Sequence, residues 1–324
     1  FKEGIFVEAV PRQLAQDIIK DEKQKHEKMY KDQQTKVNKI KNNKERKVEE
    51  LKLKKLLETS RSVITTLTNI VDTSDDYNIL QFYQNYDTGR FINPSSIVEK
   101  TRSFKHTIFQ YAGYNDVDGK KFHPTVVYAL SHKNGDGDKV ENMKTVITDF
   151  DTQLKAAQQH YHPKLTKYHV KKLYNMLLYG GTLETWSDFV ENPSHSDRIK
   201  YHIEPLKIKT DTDGNIIYRQ FDINYQNEAQ WFMNKIWEAN CNKKDSLLSK
   251  LALYHDYHLD RETRKELNYG QRQRRFCSYY LQAIENHSLY ITFNYLLDNG
   301  YIEHFKNPKD KKTYYRCSLE KDGL

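Results

Sequence analysis

The chain contains few cysteines, and this scarcity limits the kinds of fold that it can adopt. Cys241, Cys277 and Cys317 are the only three among 324 residues, and no two of them form a CxxC pair. Disulfide frameworks and zinc knuckles need closely spaced cysteines, so the sequence argues against both. Isolated thiols are typical of a reducing compartment, and we therefore expect an intracellular protein.

Three further patterns are missing. No apolar run approaches the 18 residues of a membrane-spanning helix, and no signal peptide precedes the first polar segment, so we expect no membrane partner. No GxxxxGK[ST] motif is present, which argues against an ATPase motor in this segment.

The chain begins at Phe1 rather than at a methionine and stops at Leu324. We interpret it as a segment of a larger protein.

Basic residues are in excess. The chain has 52 Lys and Arg against 44 Asp and Glu, a formal net charge of +8. This balance favours a polyanionic partner, but it is also common in proteins from AT-rich genomes. Residues 12–60 are rich in Lys, Glu and Gln and contain no glycine or proline, which predicts one or two long helices. These helices either connect other parts as solvated elements or bind a phosphate backbone.

The remaining sequence mixes helical and strand-like patterns, which predicts an α+β fold. Helical periodicity covers residues 165–178 and ends at Gly180-Gly181, and a second long helix is expected at 274–297. A hairpin is expected at 211–219, turned at Asp213-Gly214, and a last strand at 313–320.

Two acidic segments are candidates for metal chemistry. Asp116 and Asp118 lie within residues 114–124, and a spacing of two places both on one face of a strand. Asp322 is followed by glycine within residues 316–324, at the end of a strand-like run. Two-metal phosphoryl transfer needs carboxylates from separate segments. The alternatives are a surface-loop DxD and an ordinary hairpin turn.

A third segment, residues 167–181, combines cations with an aromatic side chain. Lys167, Lys171, Asn175 and Tyr179 recur every four residues, so on a helix they form one ridge. Two ammonium groups on such a ridge would suit a polyphosphate. The alternative is an ordinary surface helix that ends at a glycine.

Together the three segments resemble motifs A, B and C of family A DNA polymerases and single-subunit phage RNA polymerases. Asp118, followed five residues later by His123 and Pro124, is similar to motif A of the transposon–virophage branch. The Gly-Arg-Phe sequence at 89–91 and the helix around Gln282 also resemble elements of that family.

The resemblance implies a role for each residue. Asp118 and Asp322 would hold two Mg²⁺ ions, or Mn²⁺ as an alternative, with Asp116 as a further ligand. Lys171 would be catalytic and contact the triphosphate. The implied nucleotide-binding residues are Lys167, Lys171, Asn175, Tyr179 and His123, and the implied nucleic-acid-binding residues are Gly180, Arg274, Arg275 and Gln282.

His123 also has an implied role in substrate choice. A bulky side chain at this position, acting with Tyr179, would close the space of a 2′-hydroxyl and favour deoxynucleotides. The alternative is that His123 only packs before Pro124 and caps the end of a strand.

The resemblance further implies a palm sheet with helical fingers. Residues 1–70 would form a Lys-rich, thumb-like helical region, and residues 71–324 the palm and fingers, with the C-terminal part of the palm missing. The expected activity is DNA-directed DNA synthesis in the replication of a virus or mobile element, in the cytoplasm or at a viral replication site. Expected partners are primer–template, nucleoside triphosphates and a helicase in the same polypeptide or complex. The alternatives are an RNA polymerase or primase on the same palm, and a catalytically silent nucleic-acid-binding scaffold.

Overall fold

The computed structural model describes residues 5–40, 42–72, 77–80, 121–201, 203–241, 243–261 and 263–317. These residues are mainly helical and include a small mixed sheet, so the predicted α+β class is confirmed. They divide into two compact units. The first contains the described residues up to 80 and from His287 onward, and the second those from 121 to Asn286. The N-terminal region shares its unit with the C-terminal strands. The predicted boundary near residue 70 stays a prediction.

The first unit contains a four-stranded sheet. Its strands are β1 (Ile5–Ala9), β2 (Tyr77–Leu80), β3 (His304–Lys306) and β4 (Thr313–Arg316), in the order β2-β1-β4-β3. β1 and β4 are parallel, and both outer pairs are antiparallel. Phe6 is buried, and its ring lies 5.3 Å from the ring of Phe293.

Two strands differ from the sequence analysis. The strand β1 was not predicted, although Ile5, Phe6 and Val7 are typical strand formers. The last strand ends at Arg316, with Cys317 outside it, rather than continuing to residue 320. Residues 318–324 lie outside the described part of the chain.

Two long helices complete the first unit. They are α1 (Arg12–Lys39) and α2 (Asn43–Asp72), as the polar, glycine-free sequence predicts. They run antiparallel, since Arg12 Nη2 donates to the carbonyl oxygen of Val71 at 2.5 Å. A small apolar seam lies at the open end of this pair, formed by Val10, Ala15, Val63, Leu67 and Ile70.

The second unit is helical. Its helices are α3 (Phe122–Lys133), α4 (Glu141–Thr148), α5 (Phe150–His160), α6 (Lys167–Leu178), α7 (Leu183–Glu191), α8 (His195–Tyr201), α9 (Gln220–Cys241), α10 (Leu247–Ala252) and the first part of α11 (Tyr269–Asp298). The core is rich in large aromatic side chains that are fully buried, namely Tyr161, Tyr174, Trp186, Tyr225 and Tyr257. None of the helices in the described part of the chain is long and apolar enough to cross a membrane.

Both long helical predictions are confirmed by α6 and α11, but two local expectations were wrong. The hairpin at 211–219 is reduced to a single antiparallel bridge between Thr210 and Ile216. His123 does not cap a strand, because it lies in the first turn of α3. Pro124 also lies in this turn, where a missing backbone N–H costs no helical hydrogen bond.

Candidate functional site

Helix α6 carries the predicted ridge, and its two ends are fixed by local hydrogen bonds. At the start, the backbone N–H of Thr166 donates to His169 Nδ1 at 3.0 Å, and Thr166 Oγ1 accepts from the His169 N–H at 3.4 Å. At the end, the N–H of Gly181 donates to the Met176 carbonyl at 2.8 Å while Gly180 adopts φ +77°. This Schellman ending satisfies carbonyls that the helix itself leaves open.

The ridge itself is exposed, as the spacing predicts. Lys167, Lys171 and Asn175 face solvent and Tyr179 is half-buried. The opposite face packs into the core through side chains such as Leu173. Among the described residues, no hydrogen bond or ion pair engages the Lys171 ammonium group. Its positive charge is therefore accessible to a ligand from solution.

Tyr179, at the end of the ridge, meets two side chains from distant segments. Its hydroxyl group hydrogen-bonds to His123 Nδ1, and the two rings are edge-to-face with centroids 5.7 Å apart. His123 Nε2 lies 3.4 Å from Glu285 Oε1. The side chains of His123 and Glu285 are 11% and 1% exposed. The structure thus joins α3, α6 and α11 at one buried polar contact.

Gly180 lies against Arg274 of α11. A Cβ atom at Gly180 would lie 2.5 Å from Arg274 Cγ, so any larger residue would displace this side chain. The guanidinium group of Arg274 also contacts Gly180, because Nη1 donates to the Gly180 carbonyl at 3.3 Å. The glycine is therefore required both by its backbone conformation and by this close approach.

Two other predicted residues of α11 make contacts within the chain. Gln282 Nε2 donates to Ser278 Oγ at 2.9 Å, one turn earlier. Arg275 Nη1 donates to the carbonyls of Tyr257 at 2.7 Å and Leu259 at 2.8 Å, and so holds the 3-10 turn His255–His258. Arg275 thus stabilises a turn of the chain, and its role in binding nucleic acid stays a prediction.

A second cation lies near the start of the ridge. Lys121 Nζ donates to the Val146 carbonyl at 3.0 Å and lies 5.4 Å from the centre of the Phe150 ring. Lys167 Nζ lies 5.8 Å from the same ring centre. Two ammonium groups therefore lie near the Phe150 ring, and one of them belongs to Lys167, the first residue of α6, where the helix dipole is also positive.

From the sequence, no role in this site was assigned to Glu285, which lies in the helix recognised around Gln282, or to Lys121. Glu285 follows Gln282 by three residues, so helical spacing already placed both on neighbouring positions of α11. No signal in the sequence showed that Glu285 would meet His123. Lys121 lies three residues after Asp118, but its contact with the end of α4 depends on tertiary packing.

The proposed metal ligands Asp116, Asp118 and Asp322 lie outside the described residues. Within the described part of the chain, no group of three or more His, Cys, Asp or Glu side chains is arranged to hold a metal ion. The metal site therefore stays a prediction from the sequence.

Comparison of the chain with family models, curated proteins and solved structures finds no match. The functional interpretation therefore depends on the residues and the geometry of this chain alone.

Proposed function

We propose that the chain is the catalytic core of a template-directed nucleotidyltransferase, and that it synthesises DNA. The contact of Tyr179, His123 and Glu285 carries the proposal. His123 belongs to the segment similar to motif A and Tyr179 to the segment similar to motif B, 56 residues apart. Glu285 follows Gln282 in the helix expected between motifs B and C. Convergence of three separately recognised segments supports a shared site.

The ridge of α6 is the proposed binding surface for the incoming nucleotide. With a helical rise of 1.5 Å per residue, Lys171 lies about 12 Å from Tyr179 along the helix axis, and Lys167 about 18 Å. An extended nucleoside triphosphate would place its sugar beside Tyr179 and its phosphates beside the lysines. Asn175, between them, offers both a hydrogen-bond donor and an acceptor.

The ridge also suggests how the chain would assist the reaction. When a 3′-oxygen attacks the α-phosphorus, pyrophosphate leaves and negative charge grows on its oxygens. The Lys171 ammonium group, which has no described ion-pair partner, would stabilise that charge. Lys121, Lys167 and the N-terminus of α6 would add positive potential at the phosphate end.

The proposed cofactor is a pair of Mg²⁺ ions, with Mn²⁺ as an alternative, held by Asp118 and Asp322 and aided by Asp116. Bound there, the ions would activate the attacking oxygen and stabilise the leaving group. This part of the proposal follows from the resemblance and from the carboxylate chemistry of these residues.

Primer–template is the proposed macromolecular partner. Arg274, Ser278 and Gln282 recur every four residues on α11, so they lie along one side of that helix. Guanidinium, hydroxyl and amide groups in a row can contact phosphates and the groove edges of a duplex. Gly180 lies beside the first of these residues, because its carbonyl accepts a hydrogen bond from Arg274. A helicase that separates the duplex is the proposed protein partner.

Primer extension tests the proposal directly. The purified chain, supplied with Mg²⁺ or Mn²⁺ and the four deoxynucleoside triphosphates, should lengthen a labelled primer on a template. Asp118→Asn and Asp322→Asn should abolish extension, whereas Asp138→Asn, at an exposed turn, should not. A folded chain that binds primer–template and never extends it would overturn the proposal in favour of a silent scaffold.

A further inference from the structure

Glu285 is a buried carboxylate that the proposed reaction does not use. Its side chain is 1% exposed, and Oε1 lies 3.4 Å from His123 Nε2. A buried carboxylate is costly unless a donor or a positive charge faces it. His123 Nε2 is itself buried and has no hydrogen-bond partner among the described residues. The carboxylate of Glu285 therefore places negative charge beside a ring nitrogen that makes no hydrogen bond among the described residues.

The arrangement favours one tautomer of His123. A neutral imidazole has one N–H donor and one acceptor nitrogen, and an ionised carboxylate only accepts. With the proton on Nε2, the N–H group lies beside the Glu285 carboxylate, and Nδ1 accepts a hydrogen bond from the Tyr179 hydroxyl. With the proton on Nδ1, the lone pair of Nε2 would face the carboxylate and repel it.

The distance indicates how Glu285 acts. At 3.4 Å, the Nε2–Oε1 separation exceeds the 2.7–3.2 Å of an ordinary N–H···O hydrogen bond. The interaction is therefore mainly an electrostatic attraction between the N–H dipole and the carboxylate. Such an attraction is strong in a buried, low-dielectric place, and it selects the tautomer without a fully formed hydrogen bond.

We propose that Glu285 is a positioning residue that fixes His123 in the Nε2–H tautomer and thereby holds the Tyr179 ring at the end of the ridge. Tyr179 would then be oriented through His123 rather than by direct contact with Glu285. The consequence for nucleotide binding rests on the proposed function, whereas the tautomer does not.

The tautomer can be measured without any activity. In protein labelled with ¹⁵N-histidine, the two imidazole nitrogens of His123 give separate shifts, and loss of these signals in His123→Gln assigns them. The wild-type protein should show a protonated Nε2 and an unprotonated Nδ1. A protonated Nδ1, alone or in a doubly protonated ring, would overturn the proposal.

Two substitutions at Glu285 sharpen this measurement. Glu285→Gln keeps an oxygen that can lie beside Nε2–H but removes the negative charge, so the Nε2–H tautomer should stay the major form with a weaker preference. Glu285→Leu has no acceptor, so the Nδ1–H form should become populated. Gln273→Leu is the matched control, because Gln273 is also a buried polar residue of α11 but contacts Asn234 and Tyr269 instead. An unchanged His123 tautomer in Glu285→Leu would contradict the role of Glu285.

Nucleotide kinetics test the consequence for Tyr179. In Glu285→Leu the Tyr179–His123 hydrogen bond should lose its fixed direction, and KM for the nucleotide should rise by about twofold to tenfold, the range for one ordinary hydrogen bond. The value of kcat should change little, and Glu285→Gln should restore KM. A changed tautomer with unchanged KM would refute the positioning role. Absence of extension by the wild-type chain would refute the proposed function instead, and the tautomer would still be decided by the ¹⁵N shifts.

Discussion

In the helical pair α1 and α2, ion pairs lie on the surface, whereas the second unit contains an ion pair in its core. Arg46 and Glu50 of α2 are 3.0 Å apart and their side chains are 50% and 48% exposed. Arg219 and Asp222 of the second unit are 2.7 Å apart, with exposures of 9% and 0%. The same two kinds of side chain therefore have different effects in the two regions.

The buried pair belongs to a fully bonded network. Asp222 Oδ2 accepts from the Tyr161 hydroxyl at 2.7 Å and from Arg219 Nε at 2.8 Å, and Oδ1 accepts from the Tyr174 hydroxyl at 3.2 Å. Burial, and next the charge of Asp222, raises the pKa of both tyrosines, so their hydroxyl groups stay protonated donors. Such a network fixes one arrangement of α5, α6 and the start of α9.

The charged contacts of α1 and α2 are many and individually weak, and no single one dominates. Residues 12–72 contain 16 Lys and Arg against 10 Asp and Glu, so most of the net charge of the chain lies there. Exposed pairs such as Lys54–Glu58 are each worth little. The comparison indicates that substitutions in the second unit have local, specific effects, and those in α1 and α2 have small, additive, salt-dependent effects.

The largest effect on stability is expected for the buried pair. Arg219→Ala leaves Asp222 buried without its cation, and we expect it to lower the free energy of unfolding by about 3–5 kcal/mol. Arg46→Ala, at an exposed pair, should cost no more than about 0.5 kcal/mol. Urea unfolding monitored by circular dichroism measures both. Similar decreases in the two variants would show that the buried and exposed ion pairs do not differ in their contribution to stability.

The next largest effect is expected for the exposed cation of the ridge. Lys171→Ala should lower kcat for primer extension by roughly 10²–10³, the range for removing one group that stabilises transition-state charge. Lys172→Ala is the control, since its ammonium group lies over the Phe189 ring on a different side of α6. Equal extension rates for the two variants would show that the ridge is only a helix surface.

His123 should affect the choice of substrate more than the rate. His123→Gly removes the proposed steric wall and should raise ribonucleotide incorporation by about 10- to 200-fold relative to deoxynucleotide, the limit of steric discrimination. His132→Gly, in the last turn of the same helix, is the control. Competition assays with both nucleotide types give the ratio. A wild-type chain that already prefers ribonucleotides would favour the RNA polymerase or primase alternative.

The lysines of α1 and α2 should act together and respond to salt. Each phosphate that they neutralise should lower the affinity for primer–template about threefold between 50 and 200 mM salt. Replacing Lys23 and Lys25 with Gln should therefore make the salt dependence of binding shallower, with the slope reduced by about one for each phosphate that is no longer neutralised. Fluorescence anisotropy at several salt concentrations measures this. An affinity that barely changes with salt would favour a merely connecting role for the helices.

The smallest effect is expected from pH, through His169. Burial, and next the neighbouring His162, lowers the pKa of His169 below its ordinary value of 6.5. The unfolded chain therefore takes up the proton first as pH falls, so His169 should destabilise the fold progressively below about pH 6.5. His169→Gln keeps an acceptor for Thr166 and removes the titration. Its unfolding free energy should fall less than that of the wild type between pH 7.5 and 5.5, and identical pH profiles would contradict the assignment.

Local sequence patterns predicted the long helices α1, α2 and α11 and the helix α6. The four-residue spacing of Lys167, Lys171, Asn175 and Tyr179 predicted one exposed ridge, and the glycines after it predicted where the helix stops. The start of α3 was not predicted, although Pro124 is well tolerated in a first helical turn. These features depend on neighbours within a few residues, so a sequence pattern can show them.

The sequence by itself thus determined the helical pair α1 and α2, the helices α6 and α11, and the exposed ridge of α6. Only the tertiary structure decided that Ile5, Phe6 and Val7 pair in parallel with Tyr314, Tyr315 and Arg316 at the other end of the chain. It also decided that Glu285 lies beside His123. Contacts between residues so far apart cost much loop-closure entropy and form only when the whole core packs. A local sequence pattern does not predict which distant side chains come into contact when the core packs.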